Sequence, residues 1–202
     1  MNEALSPSYE PTGVQRLRER LNNVPIVVGC AIWFVPMTMF WGRFYPPLRP
    51  FKFEAPAPSV TTFAACLAVC LLPYALPRAY FRPRAFERGR FYTRLGVKYF
   101  RLLATDGDLI NRRLRALDPA YRAVRTRASL RAHIQGAYST ERGHLAFFLA
   151  GLFTAGFALN LNEVVRAAIL SAGNVAFNLY PLMHQRYKRA RLRSLGSLGG
   201  TA

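Results

Sequence analysis

The sequence predicts an all-α fold, a small multipass membrane protein of about four transmembrane helices with a basic cytosolic segment that contains an interfacial amphipathic helix. Three observations predict it. Half of the 202 residues are apolar, and they fall in blocks near the ~20 residues that cross a bilayer core. The cations fall in other blocks: of 28 Lys and Arg residues, 16 lie between Arg78 and Arg142. The last third holds two apolar runs joined by a short polar link, the pattern of an antiparallel hairpin. A net charge of +18 also raises nucleic acid as a partner. The apolar blocks need a bilayer, however, so anionic headgroups or a phosphorylated cytosolic ligand fit better and nucleic acid is set aside.

Residues 1–15 are polar and rich in turn formers. Arg16, Arg18 and Arg20 precede the first expected span, 24–44, which is too long for a signal peptide. Pro25 and Pro36 interrupt it, and Pro36 is expected to kink the helix. Tyr45–Pro58 holds five prolines and reads as a stiff extended crossing loop. The second expected span, 59–76, is just long enough at ~1.5 Å per residue. The segment 78–142 is the cytosolic one. Within it Leu109, Ile110, Leu114 and Leu117 form one stripe of a cationic helix over Asp108–Leu117 that Pro119 stops. Such a helix lies in the headgroup region. The third and fourth spans, 145–161 and 164–183, flank the polar link Asn160-Leu-Asn-Glu163. Counted by segment, Lys and Arg place both termini and the central segment in the cytosol. The chain, 1–202, reads as one membrane domain without an internal repeat.

The candidate site is where the hairpin ends meet. The start of the third span carries Glu141 and His144, and the end of the fourth carries Gln185 and Arg186, about 45 residues later. Glu141 and His144 are three apart and neighbours on a helix. A carboxylate beside an imidazole can fix its tautomer, and the pair can take a proton from a hydroxyl. Both residues could equally be ordinary helix-entry residues. Asn174 and Asn178, one turn apart in an apolar run, face the bundle as interhelical glue or as groups that orient a substrate or oxyanion. Gln185, Arg186, Lys188, Arg189 and Arg191 read either as a positive-inside anchor or as a site for phosphate on a cytosolic donor. His133 and His184 receive no role, and Cys30, Cys66 and Cys70 read as small apolar fillers. No phosphate loop, nucleophile elbow or zinc pattern occurs, and no metal or resident cofactor is expected.

Two regions resemble the bacterial acyltransferases that act on carotenoid glycosides in the last step of staphyloxanthin-type pigment synthesis. One is Phe86-Glu87, Gly89, Phe91-Tyr92, Val97-Lys98, Asp106-Gly107 and Asn111. The other is Glu141-x-x-His144, Asn178, Pro181 and Gln185-Arg186-Tyr187-x-Arg189-x-Arg191. The chain departs from the family pattern at Gly136, Ser139-Thr140, Leu145 and Lys188. The resemblance implies an acyltransferase of the bacterial cell membrane that esterifies a sugar hydroxyl of a carotenoid glycoside with a fatty acyl group. An acyl donor such as acyl-CoA would be the co-substrate, with membrane lipids around it. In that reading His144 is the general base and Glu141 orients it. Asn178 helps hold the sugar or the developing oxyanion, Asn174 and Gln185 are further substrate-binding residues, and Arg186 and Arg189 hold the donor's phosphates. Two other readings stay open: a non-catalytic accessory subunit that binds carotenoid or lipid within a larger membrane complex, and a transferase acting on another lipid-linked sugar.

Overall fold

A computed structural model of the chain describes residues 13–44, 58–88, 90–124 and 126–198. Every regular element among them is helical. Helix α1 (Gly13–Gly42) begins ahead of the apolar run and passes through Arg16–Arg20, and it continues through Pro25 and Pro36 without a break. Its apolar face is open: Val27 is 65% and Met39 72% exposed, as suits a helix whose partner is lipid. The expected crossing loop, 45–58, falls outside the described residues except at Pro58. Helix α2 (Val60–Ala75) starts at Ser59, whose side chain accepts from the Thr62 N–H. Its 16 residues rise about 24 Å, short of a ~30 Å hydrocarbon core.

The central segment folds onto the bundle as a 3-10 turn (Ala85–Arg88) and three short helices, α3 (Phe91–Arg94), α4 (Val97–Leu103) and α5 (Asp108–Leu117). Helix α5 has the bounds its periodicity predicts, and it ends as predicted before Pro119, with Asp118 already extended. Its apolar stripe divides. Leu114 is fully buried, while Leu109 and Leu117 are 47% and 61% exposed. The helix packs on α1 and α4, so the bundle takes one part of the stripe and leaves the rest open.

Helix α6 (Arg127–Asn160) is capped by Thr126 and Ser129, which bond each other's backbone N–H. It therefore starts inside the stretch expected to be polar and cytosolic. Glu141 and His144 consequently sit mid-helix, 14 and 17 residues past Arg127, and do not open it. The predicted link makes the turn into α7 (Val164–Asn174), with Asn162 in the left-handed region at φ 59°. Helix α7 runs through a π-helical turn, Val175–Leu179, into α8 (Tyr180–Leu198). Two helices, α1 and α6, are long and apolar enough to cross a membrane, and α2 is a shorter apolar helix.

The hairpin core is built from small residues. Ala155, Ala158 and Ala167 pack with Phe40, Phe44 and Leu170, because small side chains let helix backbones approach closely. Trp41 stacks on Phe157 at 5.6 Å and donates to Thr154 Oγ1 at 3.2 Å. At this end of the bundle Glu163 pairs with Arg43 and Arg166. Arg142 ties α2 to α6 by donating to the carbonyls of Pro73 and Tyr74, backbone acceptors that the last turn of α2 leaves without helical partners.

Candidate active site

The antiparallel hairpin brings Glu141 against α8, as its topology requires. Arg186 donates to Glu141 Oε1 at 3.0 Å and Arg189 donates to Oε2. Arg186 also donates to Glu87 Oε1 at 2.8 Å, and the same carboxylate accepts from the Tyr92 hydroxyl and from the Arg84 N–H. Arg189 gives a further bond to the Phe81 carbonyl. Two carboxylates and two guanidiniums thus neutralise one another almost out of solvent, with side-chain exposures of 12% for Arg186, 5% for Glu87 and 1% for Glu141 and Arg189. Burial pushes the Glu87 carboxyl up, but the bonds from Arg186, the Arg84 N–H and Tyr92 outweigh it and hold the group below its ordinary value. Burial also raises the Tyr92 hydroxyl, and its bond to Glu87 raises it further.

This cluster gives Glu141 other partners than the expected one. Among the described residues no hydrogen bond joins Glu141 to His144, and the His144 Nδ1 has no partner. The guanidiniums of Arg186 and Arg189 face carboxylates instead of open solvent. The physical reason is that carboxylates are scarce. The chain has 10 acidic residues against 28 cations, and a buried guanidinium without a counter-charge is costly.

His144 turns to a different face of α6, beside the Asn178 side chain. Asn178 sits in the π turn and is 3% exposed. It contacts the Asn174 amide at 2.9 Å and, with its oxygen turned to the indole, Trp33 Nε1 at 2.6 Å. Asn174 in turn donates to the Phe148 carbonyl at 2.9 Å. Gly151 makes room for this chain of amides, since a Cβ there would lie 2.5 Å from the Asn174 side chain. A π turn inside a helix often accompanies a functional site, and here it carries the asparagine that faces the imidazole.

His144, Asn178 and Gln185 line a groove of about 1490 Å³ between α1, α4, α6 and the α7–α8 arm. Trp33, Phe34, Phe100 and Phe177 form much of its wall. The residues singled out from sequence therefore divide. His144, Asn178 and Gln185 face the groove, Asn174 supports Asn178 from behind, and Glu141, Arg186 and Arg189 belong to the closed cluster. The sequence reading missed Glu87 and Tyr92 as members of that cluster, and Trp33 as a groove residue. Scarcity was the available signal: two buried arginines need two carboxylates, and Glu87 stands in one of the two regions that carry the resemblance. Among the described residues no three His, Cys, Asp or Glu side chains are grouped to hold a metal ion.

The described residues thus form a helical bundle with an imidazole and an amide at one station of a long, mostly apolar groove. The glycosyl-4,4'-diaponeurosporenoate acyltransferase family model matches residues 77–197, and the chain belongs to that family. It is accordingly an acyltransferase. No curated protein and no solved structure matches it. The matched range holds both halves of the ion cluster, His144 and Asn178, but leaves out α1, which supplies Trp33 and Phe34 to the groove.

Proposed function

We propose that the protein esterifies a sugar hydroxyl of a carotenoid glycoside with a fatty acyl group, using His144 as the base. The observation that carries this reading is the position of His144 and Asn178 together on an otherwise largely apolar groove. A carotenoid glycoside is a rigid apolar rod with a polar head. The rod fits an aromatic wall, and the head needs a polar station beside it. His144 takes the proton of the sugar hydroxyl as its oxygen attacks the acyl carbonyl. The oxyanion forms beside the Asn178 amide, which Asn174 and Trp33 hold in place. The intermediate then expels the donor's leaving group, which recovers the proton from His144. Gln185 is positioned to bond the sugar. Glu141, Arg186 and Arg189 act as positioning residues, locking α6 to α8 so that His144 and Asn178 face each other.

In this reading α1, α2 (with the bilayer locally thinned around it), the outer part of α6 and the α7 arm form four crossings, with both termini and the central segment cytosolic. Reporter fusions after Phe53 and after Ala120 should fall on opposite sides of the membrane. The same side for both excludes four crossings. The reaction is tested by mass spectrometry of pigment made in cells that lack the protein. Accumulation of the unacylated glycoside is expected, and restoration by the wild-type chain but not by His144→Ala. Acylated pigment in its absence overturns the proposal.

A further inference from the structure

The groove has a second polar station that the reaction as described does not use. His184 is 6% exposed and lines the groove, and its Nδ1 has no hydrogen-bond partner. His133 lines it from α6 with Nε2 likewise unpartnered. Lys188 lines it one turn beyond His184. Among the described residues no hydrogen bond or ion pair engages the Lys188 ammonium. The nearby carboxylates are already taken. Asp106 accepts from Arg18 at 2.8 and 2.7 Å and from Asn22 at 2.9 Å, and Asp108 pairs with Arg101 at 2.7 Å. Burial lowers the Lys188 pKa, and Asp106 offsets this in part. Asp106 is the carboxylate that acts on Lys188, and it is shared with Arg18 and Asn22.

Spacing then identifies what could join the two stations. Lys188 is ten residues beyond Asn178 on one arm, and His133 is eleven before His144 on the other. At ~1.5 Å per residue these give about 15 and about 17 Å between the stations. Small side chains, Gly136, Ala137 and Pro181, together with Thr140, line the stretch between them. A phosphopantetheine arm has a chain from sulfur to phosphorus about as long as four residues of extended backbone, again about 15 Å.

We propose that the Lys188 station, with His133 and His184, binds the phosphate end of an acyl phosphopantetheine donor and so sets its thioester beside His144 and Asn178. This rests on the acyl-transfer reading but names a separate set of residues. It moves the phosphate away from Arg186 and Arg189, whose guanidiniums are paired with Glu87 and Glu141. In the transfer the thioester C–S bond breaks, the ester C–O bond forms, and the thiolate leaves with the proton that His144 took from the sugar.

The test is binding, so it does not depend on turnover. The full-length chain in lipid nanodiscs is titrated with S-hexadecyl-coenzyme A, a thioether that cannot transfer, and with S-hexadecyl-pantetheine, which has no phosphate. Lys188→Met is expected to weaken the coenzyme A thioether about tenfold, the usual order for a lost bond to a charged group. It should leave the pantetheine thioether unchanged, and Lys188→Arg should retain affinity for both. The same thioether on an acyl carrier protein, run beside free coenzyme A, tells which source presents the arm. Equal affinity of wild type and Lys188→Met for the coenzyme A thioether overturns the proposal, as does equal weakening of both thioethers. A wild-type chain that transfers no acyl group yet shows Lys188-dependent binding overturns the catalytic reading and leaves the donor station standing.

Discussion

Helix α8 carries its polar residues on two faces that solve opposite problems. On one face Arg186 and Arg189, three residues apart, meet Glu87 and Glu141, and every charge has a counter-charge. On the other face His184 and Lys188, four apart, turn to the groove, where the His184 Nδ1 has no hydrogen-bond partner. A buried matched cluster fixes where helices sit, because removing one member strands its partner. Buried unmatched polar groups cost folding energy and persist where a ligand completes them. The difference teaches which face to read as scaffold and which as site, a distinction that residue type alone does not make.

Substitutions on the two faces should separate accordingly. The largest effect belongs to the groove. His144→Ala should lower the rate of acyl transfer about 10²–10⁴-fold with the denaturation midpoint unchanged; an equal loss of stability and rate would return His144 to the scaffold. Glu141→Ala should do the reverse, costing about 3–5 kcal/mol of stability by stranding Arg189, measured by denaturant titration in detergent. If the protein keeps its stability while losing transfer, Glu141 is part of the chemistry.

Acid should act through the unmatched face. Burial, together with the charges of Lys188 and Arg101, pushes the His184 imidazole down from 6.5 to about 4. The unfolded chain therefore takes up this proton first, and stability falls as pH drops from 6.5 to about 4, by up to about 3 kcal/mol. His184→Gln should flatten that slope, and an unchanged slope would mean that other groups carry it. Gly151→Ala should cost about 1–3 kcal/mol by pushing on Asn174, and the shift of Asn178 should lower the rate as well. Smallest is Asp108→Asn at the rim, where the pair with Arg101 is partly exposed and worth less than about 1 kcal/mol.

Much of the scaffold was legible in order along the chain. The polar link at Asn160–Glu163 and the α5 stripe are local patterns, and local patterns survive folding. The pairing of positions 141 and 186 followed from hairpin topology alone. What was not legible is which way each side chain turns. Glu141 and His144 are neighbours by count, but the nearest strong counter-charges, Arg186 and Arg189, lie on another chain segment and capture the carboxylate. Glu87 reaches Arg186 across 99 residues of sequence, through a fold that no periodicity encodes. Helix α6 begins well ahead of its apolar run, because hydropathy marks the apolar stretch while the Thr126–Ser129 cap marks where the helix begins.

The π turn at Val175–Leu179 separates the two faces in a further way. A π turn holds one residue more than the α-helix it interrupts, and its wider ring absorbs that residue locally. The helix beyond it therefore keeps its phase, and Arg186 and Arg189 stay in register with Glu87 and Glu141. Removing the extra residue would narrow the turn to α-helix and move Asn178 while leaving the ion cluster in place. The turn is thus a place where the groove can be retuned without disturbing the scaffold.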